Sequence, residues 1–282
     1  MEYLTIMNKQ TVNLGIVQET LLIPLWSRAV EASQPEPILY DAKAKEIVSQ
    51  LDYDFDKFKA AKSTQVMMCI RGKAIDELTQ HFIQQNPQAT IVEIGAGLDT
   101  RFERLDNGQL YWFDLDLPDA IAVRKHFFEE SRRRHFISAS VLEPEWINQV
   151  KQNCPNSPKL FIAEGVLLYF TEEQVKTLLK ILAENFPGSY LVFDAASPFI
   201  IKNRRSYEAV KHTSAKFQWG IKNIKDIEAW NSRYKITDSR YIWHFPEFRK
   251  RFSFNARLLM AILPPLTRSY AVHLASICTN AD

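Results

Sequence analysis

A strand-like run, Ala89-Thr90-Ile91-Val92-Glu93-Ile94, leads straight into Gly95-Ala96-Gly97-Leu98-Asp99-Thr100-Arg101. No other stretch narrows so far what this chain can fold into. Two glycines one residue apart, directly after an apolar strand, let the backbone turn sharply and approach a ligand closely. About twenty residues on, a second strand-like run, Leu110-Tyr111-Trp112-Phe113, ends in Asp114 and Asp116. An acid after strand two, beside a glycine turn after strand one, is how open α/β sheets hold the ribose of a nucleoside. The carboxylate accepts hydrogen bonds from the ribose hydroxyls. The plainer alternative is a structural turn, with Asp114 or Asp116 capping the next helix.

The turn also says which nucleoside it suits. A dinucleotide site carries a third glycine that brings helix and strand together under a pyrophosphate. Thr100 stands there instead, and Glu93 at the strand end would repel a pyrophosphate. An acidic strand end before Gly95 and Gly97 favours a cationic ligand without phosphate. S-adenosylmethionine, a sulfonium joined to an amino acid and an adenosine, fits that description.

Around this motif the pattern is that of an α/β sheet. Residues 10–85 show apolar positions at helical spacing, broken at Pro35 and Pro37. The last helix is expected over 71–86, with Ile75, Leu78, Phe82 and Ile83 inward and Asn86-Pro87 as its stop. Strands are expected at 90–95, 110–115, 135–140, 159–164 and 189–194, with helices between them. Pro118 suits the first position of a helix over 118–130. Thr171-Glu172-Glu173-Gln174 reads as a capping box above a stripe of Val175, Leu178, Leu179 and Leu182. Such alternation predicts a doubly wound, mostly parallel sheet. Residues 198–232 are charged, aromatic and helical in tendency, and read as an insertion over the site. Two closing strands are expected near 236–242 and 269–278.

Three segments carry a family resemblance. Glu93-Ile94-Gly95-Ala96-Gly97-Leu98-Asp99-Thr100-Arg101 resembles the signature of the leucine carboxyl methyltransferase superfamily, including its tetracenomycin-type polyketide O-methyltransferases. The likeness continues at Trp112-Phe113-Asp114-Leu115-Asp116-Leu117-Pro118 and at Ala163-Glu164-Gly165-Val166-Leu167-Leu168-Tyr169-Phe170, reaches back to Arg71, and thins beyond about residue 200. It implies a class I, Rossmann-like methyltransferase domain with seven strands, the last hairpin antiparallel. The expected organisation is a single domain: helical cap 1–87, cofactor-binding core 88–197, lid insertion 198–232 and closing strands 233–282.

The same resemblance assigns roles. It prefers Asp116 over Asp114 as the ribose acid; alternation alone leaves both on one face. It gives Arg71 the cofactor's carboxylate, a task that a planar guanidinium suits with two bonds, although sequence alone reads Arg71 as an ordinary surface arginine. It brings Glu164 to the cofactor's amino acid portion, beside Glu93, Gly95 and Gly97. Many relatives carry an acid after the third strand that reads the adenine amino group. Here Ser140, followed by Val141, stands in that place, a weaker acceptor. Tyr169 is the candidate catalytic residue, facing the reacting methyl group; a core aromatic is the equal alternative.

Composition limits the partners. The net charge of +2 over 282 residues gives no strong pull toward nucleic acid or acidic membrane. Arg132-Arg133-Arg134 and Arg249-Lys250-Arg251 read as solvated faces. No apolar stretch is long enough to span a bilayer. Cys69, Cys154 and Cys278 are scattered, which suits buried thiols in a reducing compartment. With no basic-then-apolar opening segment, a cytoplasmic location is expected. His81, His126, His135, His212, His244 and His273 form no ligand spacing, so no metal is expected. His212 or His244 can serve as a general base or stand as ordinary residues.

The segment Glu164-Gly165-Val166-Leu167 lacks the Asn/Asp-Pro-Pro-aromatic turn of enzymes that methylate base amines, which favours an oxygen acceptor. The reading is therefore an S-adenosylmethionine-dependent O-methyltransferase acting on a carboxylate or phenol of a small molecule. Phe199, Tyr207, Phe217 and Trp219 either shape the acceptor pocket or pack the insertion. A protein C-terminal carboxyl methyltransferase and a non-catalytic cofactor-binding protein are the rivals. The oligomeric state stays open.

Overall fold

The computed structural model describes residues 18–154, 156–203, 216–252, 255, 257–258 and 268–279. Seven strands form one sheet: β1 (Thr90–Ile94), β2 (Tyr111–Asp116), β3 (Arg134–Ser138), β4 (Lys159–Ala163), β5 (Tyr190–Ala196), β6 (Tyr234–Tyr241) and β7 (Tyr270–Ile277). Their order is β3-β2-β1-β4-β5-β7-β6. The first five run parallel, and β7 is antiparallel to both β5 and β6. Each expected strand is present, its ends within two residues of the expected ones. Successive parallel strands need crossovers, and helices supply them. In chain order, α1 (Leu22–Glu31), α2 (Ala42–Gln50) and α3 (Lys62–Gln85) precede the sheet, α4 (Arg101–Leu105), α5 (Pro118–Arg124), α6 (Glu145–Asn153) and α7 (Glu172–Asn185) are the crossovers, and α8 (Pro198–Lys202) follows β5.

Period-two alternation splits the core between the two sheet faces. Ile91, Trp112, Leu160, Val192 and Val272 pack against the Ile75, Leu78, Phe82 and Ile83 face of α3. Val92, Phe113, Ile137, Phe161 and Phe193 meet Trp146 and Val150 of α6 and the stripe Val175, Leu178, Leu179 and Leu182 of α7. A third cluster joins Leu25 and Trp26 of α1 to Ile47 of α2, Phe58, Leu98 and Phe127.

Local signals behave as their chemistry dictates. Pro118 opens α5, and Thr171 and Gln174 form the reciprocal capping box of α7. Two boundaries differ. The α3 helix begins nine residues before the expected 71, because Ala61 offers no side-chain cap to mark its start. The α5 helix stops at Arg124, six residues short of 130, and the chain turns on Lys125 to return to the sheet. The basic clusters are also less solvated than charge alone suggests. Arg134 is buried between Asp114 and Glu103, over the ring of Phe102, and Arg251 pairs with Glu31. Among the described residues no helix is long and apolar enough to cross a membrane.

Candidate cofactor and acceptor site

A cavity of about 430 Å³ opens at the C-terminal ends of β1, β2 and β4. Strand order changes direction between β1 and β4, and open parallel sheets bind ligands at such a crevice. The volume lies inside the range of about 300–1,000 Å³ typical of small-molecule sites. Of the residues singled out on sequence, Arg71, Glu93, Gly95, Gly97, Asp116, Ser140, Val141, Glu164 and Tyr169 line it.

The glycine turn forms its floor. Gly95 sits at φ 67°, and a Cβ there would run into the Val166 side chain. Asp116 reaches back from the end of β2. Its Oδ2 accepts the Gly97 amide at 2.7 Å and its Oδ1 the Leu117 amide at 2.7 Å. Each oxygen keeps a lone pair, so the carboxylate can still accept from two hydroxyls. Burial raises its pKa, and the two amide bonds oppose that shift.

Asp114 is not a cavity residue, which corrects its place among the ribose candidates. It is fully buried two residues deeper in β2. The Trp112 indole donates to it at 3.1 Å, Arg134 at 2.9 Å, and Arg124 lies 3.0 Å away. Its oxygens are held by two guanidiniums and an indole, and they face the packed layer between β2, β3 and α5.

The opposite wall is ionic. Arg71, on α3, donates to Glu164 Oε1 through Nε at 2.9 Å and to the Tyr270 hydroxyl through Nη1 at 3.0 Å. Asp194 lies 3.6 Å from Nη1. Tyr270 donates its own proton to Asp194, whose other oxygen accepts the Gly165 amide at 2.5 Å. Gly165 is at φ 66°, and a Cβ there would stand 3.1 Å from Arg71 Nη1. Burial alone would lower the Arg71 pKa, but Tyr270, Glu164 and Asp194 drive it higher and keep the guanidinium charged.

Arg101, the last residue of the glycine motif, lies between Glu93 and Glu164 and donates to both. Its Nε reaches Asp76 at 2.6 Å. Glu93 Oε2 is buried and accepts no hydrogen bond from any described residue. The cap is tied to the same motif. Arg28 of α1 donates to Asp41 at 2.9 Å and to the Leu98 carbonyl at 3.3 Å, and Thr100 donates to Asp41 at 2.5 Å.

The remaining lining is mostly apolar. Ser140 already accepts the Leu142 amide at 3.3 Å, so its hydroxyl is shared. Tyr169 lies edge-on to Phe217, ring centroids 5.4 Å apart. Burial raises its pKa, against a hydrogen bond with Thr20 and the nearby Arg71, so it stays protonated. Trp219 is buried against the core, whereas Phe199 is largely exposed. His244 is exposed and does not line the cavity. His212 and Tyr207 lie outside the described residues.

Arg101, Asp194 and Tyr270 are absent from the sequence-derived site. Asp194 had a usable signal: a lone acid in the apolar run Leu191-Val192-Phe193-Asp194-Ala195-Ala196. Tyr270 had none, because β7 brings it beside Ala196 only through long-range antiparallel pairing.

A carboxylate with spare acceptors, a buried guanidinium, an unpartnered carboxylate oxygen and an apolar wall match the parts of S-adenosylmethionine. The fold and this crevice define a class I methyltransferase that uses that cofactor. The leucine carboxyl methyltransferase family model matches residues 22–183, and this chain belongs to that family. It is 32% identical over 221 residues, 78% of this chain and 81% of the relative, to the tetracenomycin polyketide synthesis O-methyltransferase TcmP of Streptomyces glaucescens. It is 25% identical to the S-adenosyl-L-methionine-dependent methyltransferase dpfgK of Gibberella zeae, covering 84% of this chain and 86% of that one. Its fold is similar to that of a DUF574 family protein from Streptomyces avermitilis, with a TM-score of 0.58 at 10% identity over 93% of this chain and 100% of that one.

Proposed function

We propose that this methyltransferase transfers a methyl group to a carboxylate or phenolic oxygen of a small, largely apolar molecule. The observation that carries this reading is the make-up of the cavity wall. Beside the charged groups and the glycine turn, it includes Ile23, Pro24, Met67, Leu168, Ile200 and Phe217. The name of TcmP, an O-methyltransferase of polyketide synthesis, supports the same class of acceptor.

In this reading Asp116 accepts the ribose hydroxyls, Arg71 grips the cofactor's carboxylate, and Glu93 and Glu164 face its cationic portion. Gly95 and Gly97 let the backbone approach it, and Ser140 and Val141 lie at the adenine. The cofactor supplies an electrophilic methyl group on a good leaving group. The protein therefore has to align the acceptor oxygen and exclude water. The apolar wall does the second. Tyr169, protonated at neutral pH, donates a hydrogen bond that orients the acceptor and does not remove its proton. The described residues of the cap (18–87) and of the insertion (198–203 and 216–232) cover the cavity, since α1, α3, α8 and Phe217 all contribute to the wall; residues 1–17 and 204–215 lie outside the described residues.

The test is product identification by mass spectrometry after incubation with S-adenosylmethionine and panels of apolar carboxylic acids and phenols. A base-labile methyl ester or a base-stable methyl ether is expected. Methyl on nitrogen, on a nucleic acid base or on a peptide C-terminus contradicts the reading, as does no transfer to any acceptor.

A further inference from the structure

The ionic groups around the cavity do not balance. One connected network holds six carboxylates: Asp41, Asp76, Glu93, Asp99, Glu164 and Asp194. It holds four guanidiniums: Arg28, Arg71, Arg101 and Arg104. Every side chain among these ten is at most 11% exposed. The neighbouring network, Asp114 and Glu103 with Arg124 and Arg134, is neutral by the same count. The ten-residue network therefore carries two uncompensated negative charges among the described residues when all its members are ionised. Burying unpaired charge is costly unless the charge meets a partner or takes up a proton.

The imbalance has a location. Glu93 is 2% exposed, lines the cavity, and its Oε2 accepts no hydrogen bond from any described residue. Around it stand Arg101 of α4, Asp99 of the glycine loop, Asp114 of β2 and Arg124 of α5. Beyond Arg101 lie Asp76 of α3 and Glu164 at the end of β4. Burial first, and then Asp99, push the Glu93 pKa up to about 8, against Arg101 and Arg124.

We propose that this deficit of positive charge, centred on Glu93, biases the site toward the cationic methyl donor and against its product. The inference rests on the cofactor placement given above. In the transfer the sulfur–methyl bond breaks, the acceptor oxygen–carbon bond forms, and the bonding pair returns to sulfur. The cofactor thereby loses one positive charge. The partner of that charge at the cavity wall, Glu93, ionised while the cation is beside it, is then left uncompensated until it takes up a proton, so the reaction itself weakens the hold on the spent cofactor. Interactions of this kind are strong in a site screened from water.

The experiment is calorimetric titration of the full chain with S-adenosylmethionine, S-adenosylhomocysteine and an analogue carrying an ammonium in place of the sulfonium. Parent and Glu93→Gln are compared at about pH 6 and about pH 8.5, on either side of the value of about 8 to which burial raises Glu93. At the higher pH, Glu93→Gln should shift the ratio of donor to product affinity about tenfold toward the product, with the ammonium analogue following the donor. In the parent, acidification should move the ratio the same way, and this reads the proposal even where the variant does not fold. A ratio that is equal in parent and variant, or flat with pH in the parent, overturns the charge bias and leaves the cofactor placement standing. Failure of the parent to bind any of the three ligands overturns the placement itself.

Discussion

Asp116 Oδ2 accepts the amide of Gly97 at 2.7 Å, a bond that fastens the end of β2 to the turn that follows β1. Asp114, two residues earlier on the same face, is instead locked between Arg124 and Arg134. The two acids therefore separate in their consequences. Asp116→Ala should lower cofactor affinity about tenfold or more, because hydrogen bonds to a charged group contribute roughly 1.5–3 kcal/mol. Asp114→Ala leaves the buried Arg124 without its carboxylate and Arg134 with Glu103 alone, and should cost about 3–5 kcal/mol of stability. Titration calorimetry and chemical denaturation of both variants check the pair. Loss of affinity from Asp114→Ala in a stably folded protein would contradict the division.

Arg71 is held by Glu164, Tyr270 and Asp194, with Gly165 leaving room for its guanidinium. Arg71→Lys keeps the charge but loses the fork, so cofactor binding should weaken. Gly165→Ala should weaken it too, by forcing a side chain at φ 66° against Nη1. Both are read as shifts in the cofactor-dependent rise in melting temperature. A parental rise in both variants would remove Arg71 from the cofactor's carboxylate.

Tyr169 keeps its proton, since burial raises its pKa. If it orients the acceptor, Tyr169→Phe should lower kcat and leave cofactor affinity unchanged. A carboxylate acceptor is ionised above about pH 6, so the rate should then be nearly flat with pH in both proteins. A rate that climbs with pH in the parent and not in the variant would give Tyr169 a role as base.

His273 is buried in β7 against Phe193 and hydrogen-bonds Ser239 at 2.8 Å. Burial lowers its pKa from 6.5 to about 4. The unfolded chain thus binds a proton between those values that the folded chain refuses. Stability attributable to His273 is complete above pH 6.5 and falls as pH drops toward 4, by up to about 3 kcal/mol. Denaturant titrations at neutral pH and near pH 4.5 should show a smaller loss for His273→Gln than for the parent. Equal losses would show that His273 does not titrate in this window.

The parts legible in sequence were those written in local order. The glycine turn, the alternating strands and the capping box each occupy a few consecutive residues, and each appears where the pattern placed it. The ribose acid was legible only as a pair, because strand alternation puts Asp114 and Asp116 on one face. Depth separates them, and depth depends on Arg124 and Arg134, which reach Asp114 from α5 and β3. Arg101 stood inside the motif with its role hidden, since Asp76, Glu93 and Glu164 come from three separate elements. Tyr270 meets Asp194 only once β7 has paired with β5, and no local pattern encodes that register. Arg134 read as a solvated charge because its burying rings, Phe102, Phe128 and Phe136, are contributed by α4, the turn after α5 and β3.

A crystal structure with S-adenosylhomocysteine bound tests the site most directly. The Asp116 carboxylate should accept hydrogen bonds from the ribose hydroxyls, with the Arg71 guanidinium against the ligand's carboxylate and the space beside Leu168 and Phe217 left for the acceptor. A ribose held elsewhere, or a ligand carboxylate that does not meet Arg71, would contradict the account.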